Sequence, residues 1–197
     1  MPLDKFWISF LSKSALKIGV YGIMLLDLRR LNMENNLNLD NIKVVIFDFD
    51  DTLAIHRDKD FVKHRNESED KRLNYYSNAY QNQKHFFEEI EPCDRSEVLY
   101  NLIEELRNRN IKMYCLSGMK FSFHLKAKQN FINKHYGNDI EVISASSQEL
   151  KLDGVKIIQR FNSCNLEEIL FIDDRDDVIK LLNSNGIKSI LVKDIEC

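Results

Sequence analysis

Two short apolar runs in this chain each end in aspartates, and that pairing limits the possible folds. Lys43 to Phe49 reads KVVIFDF and passes directly into Asp50 and Asp51. Glu168 to Asp174 reads EILFIDD and continues into Asp176 and Asp177. A run that is apolar at consecutive positions is buried on both faces, as strands of a parallel sheet are. Ionised side chains do not follow such a run into the interior, so they mark where each strand leaves the core. The two clusters therefore point to one edge of a sheet whose strands run the same way.

The remaining segments fit that sheet. After Pro92, Asp94 and Glu97 have the spacing of a capping box. Val98, Leu99, Leu102, Ile103 and Leu106 follow at helical spacing, and Asn110 ends the helix. Ile111 to Ser117 reads as the second strand. Phe121, Leu125, Ile132 and Tyr136 mark one face of the next helix, stopped by Gly137. Ile140 to Ser144 is the third strand, and a helix runs from about Gly154 to Phe161. Glu168 to Asp174 is the fourth strand. Val178, Ile179, Leu181 and Leu182 belong to a last helix, closed by Asn185 and Gly186, and Ile187 to Val192 is the fifth strand. This alternation predicts an α/β fold: an open parallel, Rossmann-like sheet of about five strands with flanking helices. In such sheets ligands bind beyond the C-terminal ends of the strands, where both acidic clusters lie.

A length of 197 residues suits one such domain with an extension or an insert. The net charge of -3 argues against a general electrostatic grip on nucleic acid. The six glycines form neither GxGxxG nor GxxxxGK[ST], so any phosphate must be held by other means. Cys93, Cys115, Cys164 and Cys197 form no CxxC pair; they read as reduced packing thiols of a cytoplasmic protein, and their spacing does not suit zinc. Residues 1–40 read as an N-terminal extension, amphipathic or poorly ordered, and 41–197 as the domain. Lys5, Lys13 and Lys17 precede an uncharged run, Ile18 to Leu26, that is too short to span a bilayer as a helix. Asp27, Arg29 and Arg30 stand where a secretory cleavage site needs small residues. The extension carries no strong membrane signal, and Met33 is a natural start for the domain.

Many carboxylates at one sheet edge repel one another unless a cation neutralises them. A hard divalent ion with oxygen ligands, Mg²⁺, is the simplest remedy. Asp48 and Asp50 are two residues apart, so in extended chain they face the same way. Asp173 and Asp174 face opposite ways, so one meets the ion and the other supports it.

These residues resemble the haloacid dehalogenase superfamily. DFDDT, Asp48 to Thr52, matches its DxDxT signature at the end of an apolar strand. Ser117 in LSG stands where the family has Ser or Thr, Lys151 where it has a lysine, and FIDDRDD, Phe171 to Asp177, resembles its last acidic motif. The resemblance runs from about Lys43 to Val192 with the motifs in order. It implies that Asp48 is a nucleophile toward a phosphoryl group, forming an aspartyl-phosphate. It implies that Asp50 protonates the leaving oxygen and then activates water. Members that cleave carbon–halogen bonds lack an acid at the Asp50 position, so its presence implies phosphoryl chemistry. Mg²⁺ would be bound by the Asp48 and Asp174 carboxylates and the Asp50 main-chain carbonyl, with Asp173 the second choice of ligand and Asp177 an outer partner. Ser117 and Lys151 would bind the phosphoryl oxygens. Thr52, counted with them on the phosphate side, is expected to brace the loop and Asp50. Lys156 competes with Lys151 but sits inside a helix, where a solvated face explains it. Two positions depart from the family: Asp51 stands where many members have Gly, and Val178 where one form of the last motif has Asn.

The resemblance also implies a small cap insert at about residues 54–91. Its charges are mixed, and Tyr76, Tyr80, Phe87 and Ile90 fall at helical spacing with Phe86 beside them. That spacing predicts a helix packing its aromatic face on the core. A lid offering His56, Arg57 or His64 to substrate is the sharper alternative; both histidines are expected to be solvated. The implied function is an Mg²⁺-dependent phosphatase for a phosphorylated small molecule. A phosphorylated nucleic-acid or protein end, or a fold kept only for binding or regulation, are the alternatives.

Overall fold

A computed structural model of the chain describes residues 37–57, 71, 90–119, 122–145 and 149–195. The expectations for the N-terminal extension, for Phe121, and for the inside of the insert, including His64 and its aromatic helix, lie outside the described residues. The architecture belongs to one compact unit, Leu39–Ile195.

Its centre is strand β1, Val44–Phe47, whose four side chains are all buried. Alternate residues of a strand face opposite sides, so burial of all four requires helices on both faces of the sheet. Strand β4, Lys112–Gly118, and strand β5, Ile140–Ala145, extend the sheet on one side of β1. Strand β6, Ile169–Asp173, and strand β7, Lys188–Leu191, extend it on the other. The order is β5-β4-β1-β6-β7 and every pairing is parallel. The helices are α1, Ser96–Asn108; α2, Ser122–His135; α3, Glu149–Phe161; and α4, Asp176–Ser184. The five-stranded α/β reading is therefore correct, with strand ends shifted by a residue or two. Among the described residues no helix is long and apolar enough to cross a membrane. The chain order reverses direction at β1, which opens a crevice beyond the C-terminal ends of β1 and β6.

On one face, Val44 and Ile46 pack in a cluster with Leu116, Phe171, Val155 and Ile158 of α3, and Val178 and Leu182 of α4. The turns that return the chain to the sheet are local. After α1, Asn110 takes φ 55° and the amides of Asn110 and Ile111 bond to the carbonyls of Arg107 and Leu106. After α4, Gly186 takes φ 78° and the amides of Gly186 and Ile187 bond to Asn183 and Leu182. Both are Schellman caps, and each aims a buried isoleucine, Ile111 or Ile187, toward the next strand.

Four details differ from the sequence reading. Two short strands, β2, Ala54–His56, and β3, Ile90–Pro92, pair antiparallel and close the base of the insert. Asp94 makes no cap for α1; Arg57 takes its carboxylate at 2.6 Å and also bonds Glu91 at 2.6 Å. On α2, Leu125 is 40% exposed, and the buried face runs through Lys128, Phe131 and Ile132. Helix α3 begins near residue 149, so Gly154 lies inside it.

Gly154 reads as a boundary because glycine disfavours helix interiors. It is there because α3 lies so close to β4: a Cβ would sit 2.8 and 2.9 Å from the two Leu116 methyls. Gly154→Ala should therefore lower stability by a net of about 1 kcal/mol, overpacking outweighing the helix-propensity gain. Urea unfolding checks this; a stability gain would contradict the close approach.

Candidate active site

The sheet register assembles the site. Phe47 pairs with Ile172 of β6 and with Cys115 of β4. The next step along β1, Asp48, donates its amide to the Ile172 carbonyl at 2.8 Å, which sets it beside Asp173. Ser117, two residues beyond Cys115, reaches the same edge. Carboxylate oxygens of Asp48, Asp173 and Asp174 all lie within 4.8 Å of one another. Like charges at that separation repel by about 3 kcal/mol per pair at an effective dielectric of about 20.

Lys151, on the first turns of α3, answers part of that repulsion. Its Nζ is 3.0 Å from Asp48 Oδ1 and 2.7 Å from Asp173 Oδ2, and the lysine and both acids are buried. The other Asp173 oxygen accepts the Arg175 amide at 3.0 Å. Burial pushes the Asp48 carboxyl up to about 6, further than Lys151 pulls it down. Burial also raises Asp173 against the same ammonium. For Lys151 burial works against the charge, but Asp48 and Asp173 outweigh it and hold the ammonium above its ordinary range. Three carboxylates with one cation leave net negative charge facing the crevice. The donors are all hard oxygens, so the set fits a divalent ion such as Mg²⁺.

A second lysine, which the sequence reading missed, completes the edge. Lys128 of α2 is buried, with Nζ 2.8 Å from Asp50 Oδ2 and 2.7 Å from Ser117 Oγ. The ammonium also stands 4.5 Å from the centre of the Phe49 ring, a cation–π contact. Its signal was its place one turn before the buried Ile132. His56, expected to be solvated, is buried, with Nε2 3.9 Å from Asp50 Oδ1. Arg57 is tied to Glu91 and Asp94. Thr52 is wholly buried, and its hydroxyl has no hydrogen-bond partner among the described residues. Asp177 is exposed and holds Arg175 in a two-point contact at 3.0 and 2.7 Å. Lys156 is half-buried further along α3.

Solved structures share the fold. A phosphoserine phosphatase, captured as an analogue of its phospho-aspartyl intermediate, matches with TM-score 0.53 and 18% identity, over 75% of this chain and 85% of its own. A haloacid dehalogenase-like hydrolase from Bacteroides fragilis matches with TM-score 0.52 and 16% identity, over 75% and 86%. The chain has the haloacid dehalogenase fold. No protein-family model and no curated protein matches the sequence. Both departures from the haloacid dehalogenase motifs have a structural account. Asp51 takes φ 58°, the left-handed conformation that glycine enters freely and Asp tolerates better than most residues. Val178 packs in the apolar cluster beneath the sheet, so that position serves the core.

The Lys151 contacts generate a stability test. The folded Asp48 value of about 6 exceeds its ordinary 3.8, so folding retains a proton over that interval. Stability from this group is therefore lost as pH rises from about 4 through about 6. Without the ammonium the loss extends to higher pH. In EDTA, Lys151→Met should cost about 3 kcal/mol near pH 8 and distinctly less near pH 5, read from urea melts. A cost independent of pH would contradict the ion bridge.

Proposed function

We propose that this chain is an Mg²⁺-dependent phosphatase that hydrolyses a phosphate monoester through an aspartyl-phosphate. The observation that carries the reading is the convergence of Asp48, Asp50, Ser117 and Lys151 on one sheet edge beside the Asp48–Asp173–Asp174 oxygens. The shared fold is consistent with it.

In this reading Asp48 attacks phosphorus, and the bond to the leaving oxygen breaks as Asp50 donates a proton to it. Asp50 then takes a proton from the water that hydrolyses the acyl-phosphate. Lys151 and Ser117 bind phosphoryl oxygens, and the buried Thr52 braces the turn that carries Asp50. The ion would be held by Asp48, Asp174 and the Asp50 main-chain carbonyl, since Asp173 already engages Lys151 and the Arg175 amide. When bound, it screens the nucleophile and the phosphate from each other.

The proposed substrate is a small phosphorylated molecule. The net charge of -3 supplies no general field for a nucleic acid. A cytoplasmic setting belongs to the same proposal and is consistent with the buried free thiols of Cys93, Cys115 and Cys164.

Turnover of p-nitrophenyl phosphate should require Mg²⁺ and stop with EDTA. Asp48→Asn should abolish it, and Asp50→Asn should slow it by about 100-fold or more. Turnover that persists in EDTA, or full activity in Asp48→Asn, would sink the mechanism. A panel of phosphometabolites and phospho-oligonucleotides, ranked by kcat/KM, tests the substrate class.

A further inference from the structure

We propose that Lys128 is a positioning residue that sets the direction of the Ser117 hydroxyl and so makes Ser117 a hydrogen-bond donor to bound phosphate. The inference rests on the reading of Ser117 as a phosphate-binding residue.

A lysine ammonium has three donors and no acceptor. In its contact with Ser117 at 2.7 Å, Ser117 Oγ must therefore accept. The serine hydrogen is left to point elsewhere. Phosphoryl oxygens are acceptors, so a serine that serves them must donate. Asp50 is the competing acceptor, since it shares the same ammonium at 2.8 Å. By donating to both, Lys128 satisfies the carboxylate and keeps the serine hydrogen for a ligand.

The lysine is held where it can do this. Its side chain is only 3% exposed. It stands over the Phe49 ring, and Phe49 is itself buried between the two acids of the first motif. Phe49 also meets Phe131 of α2 edge-on at 5.5 Å, which ties the helix to the motif. Asp50, Ser117 and Phe49 thus fix the ammonium from three sides. This work differs from that of Lys151, which touches Asp48 and Asp173.

The test is a double-mutant cycle read by phosphate binding. Inorganic phosphate is titrated calorimetrically into the full chain with Mg²⁺, for wild type, Lys128→Met, Ser117→Ala and the double variant. Lys128→Met should weaken phosphate by about tenfold or more when Ser117 is present, and by about threefold or less when it is alanine. Equal losses in both backgrounds overturn the proposal, because a purely structural lysine, or one that binds phosphate directly, does not need the hydroxyl. No loss in either background overturns it too. If Lys128→Met lacks a cooperative melt, Lys128→Gln, shorter and polar, takes its place in the cycle with the same expectation. Turnover of p-nitrophenyl phosphate is measured alongside. Coupled binding without turnover supports the role of Lys128 and sinks the phosphatase reading. A wild-type chain that binds no phosphate overturns both.

Discussion

Asp48 and Asp173 end neighbouring parallel strands, and the Lys151 ammonium joins their oxygens in a buried bridge. Much of the local architecture depends on that bridge. A parallel pair with matched register brings the two carboxylates together whether or not their charges are tolerated. Toleration requires a cation from outside the sheet, so α3 must approach closely enough for a lysine to reach. Gly154, three residues along the same helix, permits that approach. The crevice stays short of positive charge even so, and that deficit makes the edge receptive to a divalent ion.

The fold was legible where one physical cause dominated. The unbroken apolar run of β1 demanded burial on both faces, and the aspartates at the ends of β1 and β6 located the edge where the carboxylates gather. Asn110 and Gly186 announced their helix ends because few residues accept a positive φ. The positions of Asp48, Asp50 and Ser117 were legible because each stands at or just beyond a strand end that the pattern had already placed, whereas Lys151 was singled out by the family resemblance and lies in a helix that begins earlier than its sequence suggested.

Legibility failed where two causes competed. Lys128 was passed over because a lysine in a helix is usually solvated, whereas here Asp50, Ser117 and Phe49 compensate its burial. Leu125 attracted the apolar face by its hydropathy, yet the register of α2 leaves it exposed. Gly154 was read for its conformational weakness when its small size was the point. Asp94 looked like a cap, but the Arg57 guanidinium competes for the same carboxylate. His56 was expected in water because a histidine is more often solvated, and it is instead buried in β2, close to Asp50.

The paired strands at the base of the insert have a consequence for how such a protein can diversify. His56 and Ile90 are already partners across a two-stranded ribbon, and Arg57 clamps the same junction from outside. A loop whose ends are joined independently can change length cheaply, since each doubling adds only about 0.6 kcal/mol of closure entropy. The cost of closing that segment therefore depends only weakly on its length. Such a segment can vary while Asp48, Asp173 and Lys151 remain in register on the sheet.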